Sequence, residues 1–273
     1  MHDRVTEVLV EPEVELKIPT HIAVIMDGNG RWAESKSLSR IEGHRAGGEA
    51  VKRFVESSIK SGVKYVTLFS FSTENWNRGE FEVGNLMSLF KEYLDSSIKD
   101  LLEYGIRLHA IGDLERLPAS VRDSLKRDIE LSKNNDKLNL VLALNYGARE
   151  EIVHAARKLC ELCKNGEIQL EDVDQKLFAN CLWSAGIPEP DLLIRTSGEQ
   201  RISNFLLWQI AYSEIMVIDE FWPDFDADVF NRCIRDYSRR ERRFGYTSEQ
   251  IKEGKHFDTA KQLGYELNNV KHT

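Results

Sequence analysis

The chain has 273 residues, with 37 Lys and Arg against 45 Asp and Glu, and a formal net charge of −8. That acidic balance argues against a dedicated nucleic-acid binder, whose footprint would be basic, and leaves room only for a local basic pocket. The length suits one large α/β domain or two small ones, no apolar run approaches the ~20 residues that span a bilayer, and the acidic N-terminus lacks an apolar signal segment, so a cytoplasmic protein is expected.

Residues 1–18 are acidic and irregular, with Pro12 and Pro19 as punctuation, and read as an N-terminal extension. Ile22, Val24 and Ile25 then form a short β-branched run of buried-strand type ending on Asp27. Gly28-Asn29-Gly30 follow, residues that permit positive φ and close backbone approach to a ligand, and Arg31 opens a helix. An acid, a bare backbone loop and a guanidinium at the carboxyl end of one strand suit a phosphate ester and its metal. A polar segment over 33–41 and the run Gly43-His44-Arg45-Ala46-Gly47-Gly48 lead into a helix with Val51, Phe54, Val55 and Ile59 on one face, closed by Gly62. The second strand, 64–71, ends in a polar loop, 72–78, that carries Trp76 and Arg78.

The next helix is expected over 82–104. Val83, Leu86, Met87, Phe90, Leu94, Ile98 and Leu101 make one stripe, which Leu89, Tyr93 and Leu102 widen. Such a face either packs on two neighbours or partly lines an apolar ligand channel. A third strand over 106–113, a helix over 118–132 and a fourth strand over 138–143 follow, the last running on to Asn145-Tyr146-Gly147 with another helix behind it. Cys160 and Cys163 have CxxC spacing inside that helix without a second pair, which favours packing over zinc or redox use. Residues 167–184 read as a polar connector with a helical piece, 191–198 as a fifth strand and 205–212 as an apolar helical piece. A sixth strand is expected over 215–218, then a helix over 228–244 with a basic end and a polar tail over 246–273. Strands alternating with helices predict an α/β fold: one domain over 19–245, built on a largely parallel six-stranded sheet with helices on both faces.

In such a sheet ligands bind beyond the carboxyl ends of the strands. The polar residues collected there are 27–31, 72–78, Asn145 and 195–203, a rim rich in Arg, Gly, Ser and Asn. Arg31, Arg40, Arg78, Arg195 and Arg201 can supply a local basic pocket whose forks match phosphate oxygens, with Ser197 and Ser203 adding hydroxyls. Each arginine alone is better explained as a surface or ion-paired residue; the convergence of several on one rim reverses that. Asp27 either caps the following helix or faces a diphosphate, and in the second case a cation must intervene, magnesium being the hard ion suited to these oxygens. Glu214 is a candidate second acid, with weaker support because it precedes a strand. There is no Walker A sequence, no GxSxG elbow and no serine or cysteine spaced to serve His44 or His109. A nucleophilic-aspartate phosphatase would want a second acid two residues on, where Asn29 stands.

The segments HIAVIMDGNGRW (21–32), GHRAG (43–47), FSTENWNR (71–78), NYG (145–147), RTSG (195–198), RISNF (201–205) and WPDF (222–225) together resemble the cis-prenyltransferases, or Z-isoprenyl diphosphate synthases, and most closely the bacterial undecaprenyl diphosphate synthases. The resemblance covers nearly all of the chain between its two ends. It implies an enzyme that adds isopentenyl diphosphate to an allylic diphosphate, farnesyl diphosphate first among them, with Mg2+ as cofactor and an apolar tunnel for the growing product. It also implies a homodimer, with membrane contact limited to product release. Carried over position by position, it implies Asp27 as metal ligand and catalytic carboxylate that assists the diphosphate chemistry, with Glu214 as second metal contact. It places Gly28, Asn29, Gly30, Arg31, Trp32, Arg40 and His44 at the allylic diphosphate. Ser72, Thr73, Glu74, Asn75, Trp76 and Arg78 fall in a loop that closes over the reacting groups, with Asn75 as proton acceptor, and Arg195, Arg201, Ile202 and Ser203 at the isopentenyl diphosphate. Gln200 stands where many members have a metal-proximal histidine, and is left out of the metal set. A small Ser70 leaves the upper tunnel open and predicts a long product; a short-chain synthase of the same family is the alternative.

Overall fold

The computed structural model describes residues 16–241. The expected extension over 1–18 therefore lies almost wholly outside the described residues, as does the tail over 246–273.

The described chain alternates as predicted: β1 (His21–Ile25), α1 (Asn29–Ser35), α2 (Arg40–Ser61), β2 (Tyr65–Ser72), α3 (Glu80–Glu103), β3 (Ile106–Ile111), α4 (Ala119–Ser132), β4 (Leu138–Tyr146), α5 (Ala148–Lys164), α6 (Gln175–Ala179), β5 (Leu192–Arg195), β6 (Glu214–Val217) and α7 (Ala227–Ser238). The six strands form one sheet in the order β3-β4-β2-β1-β5-β6, and every neighbouring pair is parallel. From β1 the chain first builds outward on one side, then returns to place β5 against β1 on the other. The loops after β1 and β5 therefore diverge at a topological switch point, where open α/β sheets bind ligands.

The strands read as continuous apolar runs because both faces are covered. Along β1, Ile22 and Val24 join a core with Phe54, Leu86 and Phe230, whereas Ala23 and Ile25 join a second with Tyr146, Phe205 and Ile210. The helix starts carry their own signals. Ser39 and Glu42 form a reciprocal capping box on α2, and Asp226 accepts from the N–H groups of Asp228 and Val229 to start α7.

Two expectations are corrected here. Residues 205–212 form no helix; they are a series of turns, with Ser203, Asn204 and Leu206 at φ of 48°, 61° and 49°. Apolar composition favoured a helix, but three left-handed residues interrupt any helical ladder before it can start. The helix expected over 228–244 ends earlier, at Ser238, and the described residues Arg239, Arg240 and Glu241 lie outside it.

His21 locks the lower end of the sheet. Its ring lies 2.6 Å from the Pro188 carbonyl and 2.8 Å from Thr67 Oγ1, and burial lowers its pKa from 6.5 to about 4 despite the raising effects of that carbonyl and Asp191. The unfolded chain takes up this proton below about pH 6.5, the folded chain only below about pH 4, so stability is lost as the pH falls between those values. On the order of 3 kcal/mol rests on this one ring. Urea midpoints at pH 7 and pH 5 should differ more for the native chain than for His21→Gln; equal differences would exclude His21 as the source.

Candidate active site

Asp27 and Arg195 stand on the two sides of the switch point. Arg195, the last residue of β5, donates from Nη2 to Asp27 Oδ2 at 2.8 Å and from Nη1 to Ser203 Oγ at 2.9 Å and to the Arg201 carbonyl. Its side chain is buried, and its Nε has no partner. Asp27 Oδ1 accepts from the Gly28 N–H at 2.7 Å and lies 3.4 Å from Arg31 Nη2. Partial burial works to raise the Asp27 pKa, but the Arg195 and Gly28 hydrogen bonds and the Arg195 and Arg31 charges outweigh it and hold the carboxyl below its usual value. Asp27 is thus an anion at neutral pH, gripped on both oxygens.

The backbone around it is shaped to admit a ligand. Gly28 has φ of 100°, and a Cβ there would lie 2.7 Å from the Phe221 ring and 3.0 Å from Ser197 Cβ. The first α1 hydrogen bond is Trp32 N to Gly28 O, at 2.9 Å, so the preceding amides precede the helical ladder and suit an anion. Arg31 reaches across to Ser197 and to Glu199 Oε1 at 3.1 Å. Asn29 donates to the Met26 carbonyl at 3.2 Å, while its Oδ1 is buried without a partner.

Below this polar mouth lies a cavity of ≈ 500 Å³. Asp27, Gly28, Asn29, Gly30, Arg31, Arg40, His44, Asn75 and Arg78 border its upper part. Its depth is formed by Leu68 and Ser70 of β2, Leu86, Phe90, Leu94 and Leu101 of α3, Leu108 of β3 and Leu140 and Leu142 of β4. The wide α3 stripe is divided between two surfaces: part of it lines this cavity, while Val83 and Met87 face a separate groove toward α4. His44 is neutral at pH 7: burial, then the Arg78 charge, lowers its pKa to about 4. Arg40 and Arg78 both reach Glu82, at 3.9 and 3.1 Å.

The expected site residues do not all converge. Ser72 and Asn75 cap the short 3-10 turn Thr73–Asn77, Ser72 N donating to Asn75 Oδ1 at 3.1 Å. Trp76 points elsewhere: its indole donates to Asn145 Oδ1 at 2.7 Å and borders the α3–α4 groove, with Arg116 over its ring. Trp32 donates to Asp224 Oδ1 at 2.7 Å and does not line the cavity. Thr73 and Glu74 lean on the loop after β5 rather than on the cavity, through Glu74 to Asn204 at 3.1 Å. Arg201 is largely exposed and pairs with Glu199, and Ile202 packs on the second core.

The pairing of Asp27 with Glu214 on one ion is corrected for a single chain. Glu214 opens β6 opposite Leu192, which is opposite Ile22, five residues before Asp27. At ~3.3 Å per strand residue the two acids are separated by roughly 15 Å along the sheet, and Glu214 is paired with Arg240 at 2.9 Å. Among the described residues no group of three or more His, Cys, Asp and Glu could hold a metal. A single hard carboxylate beside a phosphate cradle nonetheless fits magnesium, which binds through one or two carboxylates, water and substrate phosphate. Thr196 was missed: fully buried, it accepts from Asp27 N at 2.8 Å and donates to Asp27 O at 2.6 Å, holding the loop in place.

Most of the chain is similar to known proteins. The family model described as putative undecaprenyl diphosphate synthase matches residues 25–245. An isoprenyl transferase of Porphyromonas gingivalis is 50% identical over 86% of this chain and 92% of its own. The ditrans,polycis-undecaprenyl-diphosphate synthase of Micrococcus luteus, specific for (2E,6E)-farnesyl diphosphate, is 47% identical over 84% of this chain and 92% of its own. Among solved structures, lavandulyl diphosphate synthase from Lavandula x intermedia in complex with dimethylallyl diphosphate aligns with a TM-score of 0.81 at 36% identity, covering 83% of this chain and 98% of that one. A probable undecaprenyl diphosphate synthase from Campylobacter jejuni aligns with a TM-score of 0.71 at 31% identity, over 84% and 100%.

Proposed function

The chain belongs to the undecaprenyl diphosphate synthase family of prenyltransferases, and on that premise we infer that it condenses isopentenyl diphosphate with an allylic diphosphate, farnesyl diphosphate first among them, to build a long-chain cis-polyprenyl diphosphate. The undecaprenyl carrier precursor of cell-wall synthesis is the expected product. One observation carries the reading: a charged diphosphate mouth opens directly onto a deep leucine-lined cavity. A phosphatase has no use for that depth, and Asp27, gripped on both oxygens, is poorly free to act as a nucleophile.

In the reaction the allylic C–O bond breaks and diphosphate leaves. The isopentenyl double bond attacks the freed carbon, a proton departs, and a product five carbons longer remains. Magnesium, held by Asp27 and substrate oxygens, would supply charge neutralisation at the diphosphate. Arg31, Arg40 and the amides after Gly28 suit the allylic diphosphate; Arg195, Arg201 and Ser203 suit the isopentenyl diphosphate. Asn75, at the cavity mouth, is the proton acceptor of this reading. Each added unit buries five carbons, at ~0.8 kcal/mol per CH₂, which favours drawing the tail down the cavity.

We further propose a homodimer through the outer edge of the sheet, where among the described residues β6 has no strand on its far side and Leu207, Tyr212 and Ile215 are exposed. No described helix is long and apolar enough to cross a membrane, and a cytoplasmic enzyme touching the membrane to release product suits the reaction.

Incubation with farnesyl diphosphate, labelled isopentenyl diphosphate and magnesium should yield long chains; products no longer than farnesyl would overturn the assignment. Ser70→Phe should then collapse the product distribution. Ser70 lines the cavity below the polar mouth, and a ring there intercepts the tail after a few additions while the first condensations proceed. Unchanged product length would show that the chain takes another route.

A further inference from the structure

Asn204 sits where the two substrate loops meet. Its Nδ2 donates to Glu74 Oε1, on the loop that carries Asn75, and to Glu150 Oε2 in the first turn of α5, both at 3.1 Å. Its Oδ1 accepts from Arg149 N at 2.9 Å, and its carbonyl accepts from Ala148 N at 2.8 Å. Gly147 makes the crossing possible, since a Cβ there would lie 2.8 Å from both Asn204 Nδ2 and Thr73 Oγ1.

The backbone is held in a costly shape. Ser203, Asn204 and Leu206 all have positive φ, which costs about 1–3 kcal/mol per residue and persists only where the surroundings over-determine it. Asparagine tolerates that conformation better than other non-glycine residues. It is also the neutral group of this size that gives one N–H to each of two carboxylates, which would otherwise repel each other.

We infer that Asn204 is a positioning residue that couples the isopentenyl diphosphate seat to the loop bearing Asn75. The inference rests on the function proposed above. Ser203, the preceding residue, accepts from Arg195, so seating a diphosphate on Arg195 and Ser203 fixes Asn204. Through Glu74, Asn204 fixes the neighbouring Asn75. The nucleophile's diphosphate and the proton acceptor are thereby brought into place as one unit.

Asn204→Asp keeps the size and the tolerance for positive φ but sets a third carboxylate between Glu74 and Glu150. At pH 8 it should raise KM for isopentenyl diphosphate and lower kcat, each by about tenfold or more, while farnesyl diphosphate binding stays within about twofold. Asn204→Asp/Glu74→Gln should recover most of the loss, because the new amide donates back across the loops with reversed polarity. Asn204→Asp/Glu150→Gln mends only the α5 side and should recover less. Native kinetics in Asn204→Asp, or equal recovery in the two double variants, would overturn the coupling in an otherwise active enzyme. A native chain that fails to consume isopentenyl diphosphate would overturn the functional reading as well.

Discussion

Asp27→Ala is expected to lower kcat by about 10³-fold or more while leaving farnesyl diphosphate binding within a fewfold of the native value. The arginines, amides and leucine cavity that would hold the allylic substrate remain when this carboxylate is gone. What is lost is the ionised oxygen pair at the switch point. The fold should survive with a modest loss: Arg195 keeps its bonds to Ser203 and the Arg201 carbonyl when its bond to Asp27 is removed. Leaving a buried donor unpaired costs about 1–3 kcal/mol. Asp27→Asn separates shape from charge. If Asp27 acts through its charge, the asparagine variant fails as badly as alanine with a smaller stability loss. Steady-state turnover set beside fluorescence-detected binding of farnesyl diphosphate checks both, and substantial turnover in either variant would sink the role assigned to Asp27.

Where the sequence was informative, the reason is physical. A β-branched run ending in Asp27-Gly-Asn-Gly has few readings other than a buried strand opening on a bare loop, and the structure places Asp27 two residues beyond β1. The wide α3 stripe was legible because the same helix serves a cavity and a neighbour, and both demand apolar side chains. Contacts across strands were not legible. A threonine after a strand end looks like any turn residue, and only the β1–β5 register puts Thr196 against both the N–H and the carbonyl of Asp27. Glu214 shows the same limit: which end of a parallel strand a residue occupies decides whether it can meet Asp27 within one chain, and that is a matter of register. At 205–212 the local signal was available, since Ser203-Asn204 is a turn dipeptide, but the apolar residues behind it carried more weight.

Arg195→Lys should be nearly as damaging as the loss of Asp27, although it preserves the charge. The guanidinium makes three directed bonds from two nitrogens, to Asp27, to Ser203 and to the Arg201 carbonyl, and its Nε is buried and unpartnered. On the function proposed above, Arg195 also forms part of the isopentenyl diphosphate seat. A lysine ammonium is a compact point charge that cannot span these acceptors from one position. Either Asp27 or the Ser203 loop is then left without its partner. The expected result is about a hundredfold loss in kcat/KM for isopentenyl diphosphate, roughly 3 kcal/mol, with KM carrying a larger share than in Asp27→Ala. Because Asp27 and Arg195 form one contact, their effects should not add. The double variant Asp27→Ala/Arg195→Lys should be scarcely worse than Asp27→Ala alone. A double variant whose losses multiply would mean that Arg195 serves the substrate independently of Asp27, and the shared mouth at the switch point would have to be divided into two separate sites.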